Sequence, residues 1–225
     1  MQPAYIPWLG YFDRIMKSDV HIVLDNVVMD QNSKTKFTNR NKIRTPNSWI
    51  WLTVPLNSVT RSDEKVISDL KISSSLNWSE KHWKTIQAYY SRSPYFSRYA
   101  NYFENFYHKN WEYLSPMLEE STNYLLHELG IKTQQLRSSK LSPTSKKSDL
   151  ILELCIKAGA TTYLSGPFGR HYLDEGAFEK AGISLSYHDY PHPIYNQNYA
   201  GFEAYMSILD LLFNHGERSL EILAS

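Results

Sequence analysis

The sequence predicts an α/β protein with a mainly parallel sheet flanked by helices and a helical insertion in the middle of the chain. Two observations predict it. Short β-branched apolar runs are separated by 3.6-residue apolar patterns near both ends of the 225 residues, and residues 78–130 carry three successive helix starts with no strand pattern. The chain reads as one domain, 1–225, with 78–130 inserted within it, and no internal repeat is found.

The elements follow in order. Residues 7–18 place Trp8, Tyr11, Phe12 and Ile15 at helical spacing, with Pro7 suited to a first helical position. Residues 20–29 form a β-branched run that predicts a buried strand ending near Asp25. The polar stretch 30–48 holds five basic side chains among Asn and Thr and predicts a loop or hairpin before a second strand at 49–56. Residues 70–73 are a weak strand candidate. Asn77 and Glu80 have capping-box spacing and predict a helix over 79–91. Ser93-Pro94 and Ser115-Pro116 open two more, striped by Phe96, Tyr99, Phe103 and Phe106 and by Leu118, Leu125 and Leu129. Gly130 stops that block, residues 136–148 are rich in Ser and Lys, and Leu150, Ile151, Leu154 and Cys155 mark a further helix. A strand at 161–165, a turn at 166–169, a helix at 171–181, a strand at 183–189 and a helix at 203–214 complete the pattern.

Composition narrows the function. Apolar residues at 42% and charged residues at 21% are ordinary globular usage and exclude a disordered chain. Lys plus Arg (24) nearly balance Asp plus Glu (23), without a block of five like charges, so the electrostatic footprint of a nucleic-acid binder is missing. Aromatic content of 14% supplies core volume and flat walls for ligands. The single Cys155 excludes an internal disulfide and a multi-cysteine metal site. No apolar run reaches the roughly 18–20 residues of a membrane span, and a cytoplasmic location is expected.

Four constellations carry candidate chemistry. In NRNKI, Asn39, Arg40 and Asn41 combine a bidentate donor fork with two amides, which suits a carboxylate, phosphate or sugar; a solvated loop has the same composition. LSPTSKKSD, residues 141–149, joins helix-capping side chains to Lys146 and Lys147, with Lys140 just before it, and suits either phosphate or plain capping. YLSGPFGRHYLD, residues 163–174, puts Ser165, Gly166 and Arg170 where a parallel strand ends, the usual ligand position in such sheets, without a Walker or dinucleotide spacing. YHDYPHPIYNQ, residues 187–197, gathers His188, Asp189, His192, Tyr195 and Gln197 along a proline-stiffened path, with His192 a candidate proton carrier. Cys155 lies on an apolar helical face and reads as structural.

Taken in order, QPAYIPWLGYFDRI, NRNKI with WLTVP, YLSGPFGRHYLD, HPIYNQ and ILDLLFNHG resemble the WbqC-like protein family over essentially the whole chain. The resemblance implies bacterial O-antigen or other surface-polysaccharide and related specialised biosynthesis, with transfer of an acyl or aminoacyl group to an amino sugar as the expected reaction. It also implies Gln2, Asn39, Arg40, Asn41, Ser165, Gly166, His192, Tyr195 and Gln197 as site positions. Members usually carry several residues before Gln-Pro that form a first strand. This chain starts Met1-Gln2, so the expectation is a shortened start and an absent central strand.

The leading expectation is a transferase acting on an activated or lipid-linked sugar, with an acyl or aminoacyl donor and no resident cofactor or metal. Asp25 or His192 serves as general base, Arg40 and Arg170 hold anionic groups, and Tyr195 and Gln197 orient the acceptor. A non-catalytic carbohydrate- or partner-binding module is the alternative. A metal-dependent hydrolase is the third reading.

Overall fold

Three strand pairs, nine α-helices and three 3₁₀ turns make up the regular structure of the described residues. The structure, a computed structural model, describes residues 1–29, 36–57, 65–74 and 77–225. The first part of the polar stretch, 30–35, lies outside them.

Helix α1, Leu9–Met16, follows the turn at Tyr5–Ile6, and β1, Val20–Val23, comes directly after it. Strands β2, Arg40–Arg44, and β3, Trp49–Thr53, form an antiparallel hairpin. NRNKI is thus mostly strand rather than loop, because the hairpin buries Asn41 and Ile43 on one face and leaves Arg40 and Lys42 half-buried on the other. Helices α2, Trp78–Tyr90, α3, Phe96–His108, and α4, Leu114–Glu128, fill the middle as expected. Asn77 does not cap α2; its amide contacts the Glu80 carboxylate instead. Residues 70–73 form isolated bridges rather than a strand.

Strand β4, Gln134–Arg137, pairs in parallel with β1. It was hidden by its polar sequence, which an exposed edge tolerates. The one-turn helix α5, Ser138–Leu141, and α6, Lys147–Lys157, lead to β5, Thr162–Ser165. A 3₁₀ turn at Pro167–His171 and α7, Glu175–Lys180, connect β5 to its parallel partner β6, Ser184–Tyr187. The helix expected over 171–181 begins later because the Asp174 carboxylate caps it, accepting from Ala177 N–H at 3.1 Å. Likewise α8, Ile208–His215, starts at the Ser207 cap rather than at 203, and α9, Ser219–Leu223, closes the fold. Residues 188–207 run over α1 without regular structure, pinned by Ser207 N–H to Lys42 O and by Ile208 N–H to Pro7 O.

The arrangement is α/β: among the described residues the parallel pairs β1–β4 and β5–β6 are separate two-stranded sheets, and the third pair, β2–β3, is antiparallel. Between β1 and β5 lies a cleft of about 340 Å³, lined by both strands together with Arg14, Cys155 and Met1. The Met1 amine donates to Ile22 O at 2.6 Å and Met1 O accepts from Leu24 N–H at 2.7 Å, the pattern of a parallel neighbour one residue long. Two apolar clusters flank the cleft. The larger joins α1, the hairpin, α2–α4, α8 and α9. The smaller holds Ile151, Cys155, Leu173, Phe178 and Ile183.

Candidate functional site

The stripe Leu9, Phe12 and Ile15 drives α1 into the core and carries Asp13 with it, fully buried. An ionised carboxylate there needs partners. Asp13 Oδ2 accepts from Lys17 Nζ at 2.8 Å and lies 2.5 Å from His188 Nε2, while Oδ1 has no partner among the described residues. His188 follows β6, and its main-chain N–H donates to Ser165 O at 2.8 Å, so the pair stands at the carboxyl ends of β5 and β6. With Nε2–H directed at the carboxylate, a neutral ring carries its lone pair on Nδ1, which makes no hydrogen bond among the described residues.

Arg14 adjoins this pair. Its guanidinium lies so close to Gly166 that a Cβ there would collide with Nη1. Its Nε donates to Met1 Sδ at 2.6 Å, and it has no ion pair among the described residues. Burial lowers its pKa, with Tyr163, Tyr11 and Tyr172 opposing the shift. Ser165 is buried and donates to Gly166 O at 3.1 Å. Arg170 lies apart on the surface, over the Tyr187 ring at 4.3 Å and 3.9 Å from Asp189.

Rings continue from His188. Tyr190 stacks on His188, Trp8 meets Tyr190 edge-on, and His192 lies parallel to Trp8 at 6.4 Å. His192 also stacks with Tyr195 and meets Tyr205 and Phe202 edge-on. Its Nδ1 is 2.8 Å from Pro193 O, which can only accept, and its Nε2 is 3.1 Å from Tyr205 N–H, which can only donate. These partners select the neutral Nδ1–H tautomer, and burial lowers the ring's pKa, opposed by the Pro193 bond.

Tyr195 and Gln197 belong to a buried network with two residues the sequence did not single out, Arg44 and Asp210. Gln197 donates to Asp210 Oδ2 at 2.8 Å and accepts from Arg44 Nε at 3.3 Å and Glu203 N–H at 2.9 Å. Tyr90 donates to Asp210 Oδ1 and accepts from Arg44 N–H, both at 2.9 Å. The Tyr195 hydroxyl faces Asp210 without a well-formed hydrogen bond. Burial raises the Asp210 pKa to about 6 against the hydrogen bonds from Tyr90 and Gln197 and the nearby Tyr195 hydroxyl.

The NRNKI amides serve the backbone. Asn41, fully buried, donates to Ile6 O at 2.9 Å and Tyr5 O at 3.3 Å and accepts from Lys42 N–H, holding Ile6 at φ +36°. Asn39 donates to Val54 O at 2.9 Å, and Gln2 Oε1 accepts weakly from Thr38 at 3.4 Å. The other face of the hairpin alternates cations with indoles: Arg40 lies 4.3 Å over Trp51 and Lys42 lies 4.6 Å over Trp49.

The structure places the two expected general bases, Asp25 and His192, among hydrogen-bond partners of their own. Asp25 accepts from Ser138 Oγ, Ser139 N–H and Ser139 Oγ at the start of α5. Burial raises its pKa, but those bonds together outweigh it and hold the carboxyl below its ordinary range. Asp25 is an ionised anchor for that segment, and His192 has both nitrogens engaged with main chain. The Cys155 thiol is buried and pushed up to about 11. Among the described residues, no three of His, Cys, Asp and Glu are grouped to hold a metal ion, and no helix is long and apolar enough to cross a membrane.

The missed residues Asp13 and Arg14 left a signal: a carboxylate on the apolar stripe of a predicted helix is rare without a buried partner. Arg44 and Asp210 left little, since each reads as an ordinary charge near an element end.

These features define an α/β protein with polar groups gathered beyond the carboxyl ends of a parallel strand pair, beside an aromatic run. The profile of the WbqC-like protein family matches residues 2–222, and the chain belongs to that family. It is 34% identical over 228 residues, 99% of this chain and 95% of the relative, to the uncharacterized protein Rv1507c of Mycobacterium tuberculosis (strain ATCC 25618 / H37Rv). No solved structure matches.

Proposed function

We propose that the protein is a transferase of bacterial surface-polysaccharide or related specialised biosynthesis that moves an acyl or aminoacyl group to an amino sugar held in activated or lipid-linked form. The observation that carries this reading is the outer face of the β2–β3 hairpin, where Arg40 and Lys42 alternate with Trp51 and Trp49. Indole faces suit the apolar face of a sugar ring, and the cations beside them suit its phosphates. Burial lowers the Lys42 pKa, opposed by Glu203. Ser207 ties this hairpin to the segment bearing His192 and Tyr205, so the aromatic run continues from it.

A thermal-shift panel of nucleotide-sugars, amino-sugar phosphates, acyl thioesters and amino acids tests the reading, with Arg40→Ala and Trp51→Ala beside wild type. A ligand at 100 times its Kd adds about 2.7 kcal/mol, roughly 5–10 °C at this size. A sugar-phosphate shift lost in both variants supports the reading; shifts of equal size in all three proteins sink it. A second reading, a carbohydrate-binding module without turnover, draws on His192, whose nitrogens are both engaged with main chain. It predicts binding of the sugar with no product on adding any donor.

A further inference from the structure

Asp25 and His192 have their polar atoms engaged with the segments around them. At the carboxyl ends of β5 and β6, three features of different origin meet. Asp13 orients His188 through Nε2 and leaves Nδ1 without a hydrogen bond among the described residues. Arg14, one residue on, brings a guanidinium against the Gly166 backbone with no ion pair among the described residues. Asp13 Oδ1 is buried and unpartnered. A desolvated cation without an anion is a standing cost that a bound anion removes, and an imidazole fixed by a carboxylate is the usual arrangement of a general base.

We propose that this corner is a proton-transfer site for a phosphate-bearing acceptor: Arg14 and the Ser165–Gly166 turn hold the phosphate, and His188, positioned by Asp13, deprotonates the acceptor's amine or hydroxyl. The inference deepens the transferase reading and rests on it for the reaction, though not for the binding. In the step, the His188 Nδ1 lone pair takes the acceptor's N–H or O–H proton while that nitrogen or oxygen bonds to the carbonyl carbon of an acyl donor. The bond from that carbon to the leaving group breaks, and the leaving group takes the proton back from Nδ1–H. Asp13, on Nε2, orients the ring and stabilises the transient imidazolium. Lys17 donates to the Asp13 carboxylate from the solvent side at 2.8 Å.

The test needs no knowledge of the donor. Carbethoxylation of imidazole nitrogens is followed by peptide mass spectrometry, with inorganic phosphate as the probe and two internal references. Exposed His127 reacts fast, and His192, with both nitrogens engaged, reacts slowly. His188 is expected to react well above the His192 rate, saturating phosphate to slow it at least about tenfold, and Arg14→Gln to abolish that protection. Asp13→Asn is expected to change the bare rate while phosphate still protects. The proposal is overturned by a His188 rate at or below that of His192, by no protection at saturating phosphate, or by equal protection in Arg14→Gln. Because hairpin variants do not enter, failure here and failure of the sugar reading are separable. If Arg14→Gln does not fold, Arg14→Lys replaces it; weaker protection supports the fork-like contact, and unchanged protection overturns it.

Discussion

Asp210 sits in the first turn of α8 and accepts from Tyr90 and Gln197, yet burial still raises its pKa from 3.8 to about 6. Between about pH 4 and pH 6 the native state therefore keeps a proton that the unfolded chain has released, and stability falls as pH rises through that window. Two pH units correspond to a loss on the order of 2–3 kcal/mol. Urea midpoints of wild type and Asp210→Asn at pH 4 and pH 7 check it: the wild type's advantage should shrink by that amount, and a constant difference would contradict the burial cost. Asn41→Ala leaves Ile6 O without its donor in the interior and should cost about 1–3 kcal/mol with no change in the urea slope. At this scale the sequence was half legible. NRNKI stood out by its residue types, but whether an amide faces ligand or backbone depends on which side of a hairpin it falls, and one residue of register decides that. Asp13, by contrast, was visible as a charge on an apolar stripe, while its partner 175 positions away was not.

Among the elements, the helices of the middle region were the most legible because their aromatic stripes repeat over several turns. The ends misled wherever a cap competed with periodicity: α7 waits for Asp174 and α8 for Ser207. Ser207→Ala removes the acceptor for Leu209 N–H inside the core and should lower stability by about 1 kcal/mol in thermal or urea melts. Gly10 makes a sharper test of α1. A Cβ there would collide with the Trp8 indole, which folds back over the helix to meet Tyr190, His192 and Tyr205. Gly10→Ala is expected to push Trp8 out of that run, seen as a changed tryptophan emission, while far-ultraviolet circular dichroism stays the same. An unchanged emission would mean that the indole has room the structure does not show. Strand β4 stayed hidden because Gln134 and Gln135 carry no apolar alternation, and only its pairing with β1 reveals it.

For the whole molecule, the α/β class was legible and the grouping of the described strands into separate pairs was not, since sequence pattern reports strands and not which of them touch. Asp13 on α1 and His188 after β6 form a buried pair that links the first helix to the end of the second parallel pair. Breaking that pair leaves one buried group without its mate, and His188→Ala should cost about 3 kcal/mol, read as a shift in urea midpoint. The cleft between the clusters has a further consequence for main-chain hydrogens. Asp19 O accepts from Gln134 N–H, so the odd-numbered residues of β1 face β4, and Ile22 faces the cleft. Thr161 O and Ser165 O accept from Ser184 and His188, so Thr162 and Leu164 face it from the other side. Deuterium uptake along both strands should therefore alternate residue by residue, slow at His21, Val23 and Tyr163 and fast at Ile22 and Leu164, a sawtooth in protection that a strand paired on both edges never gives.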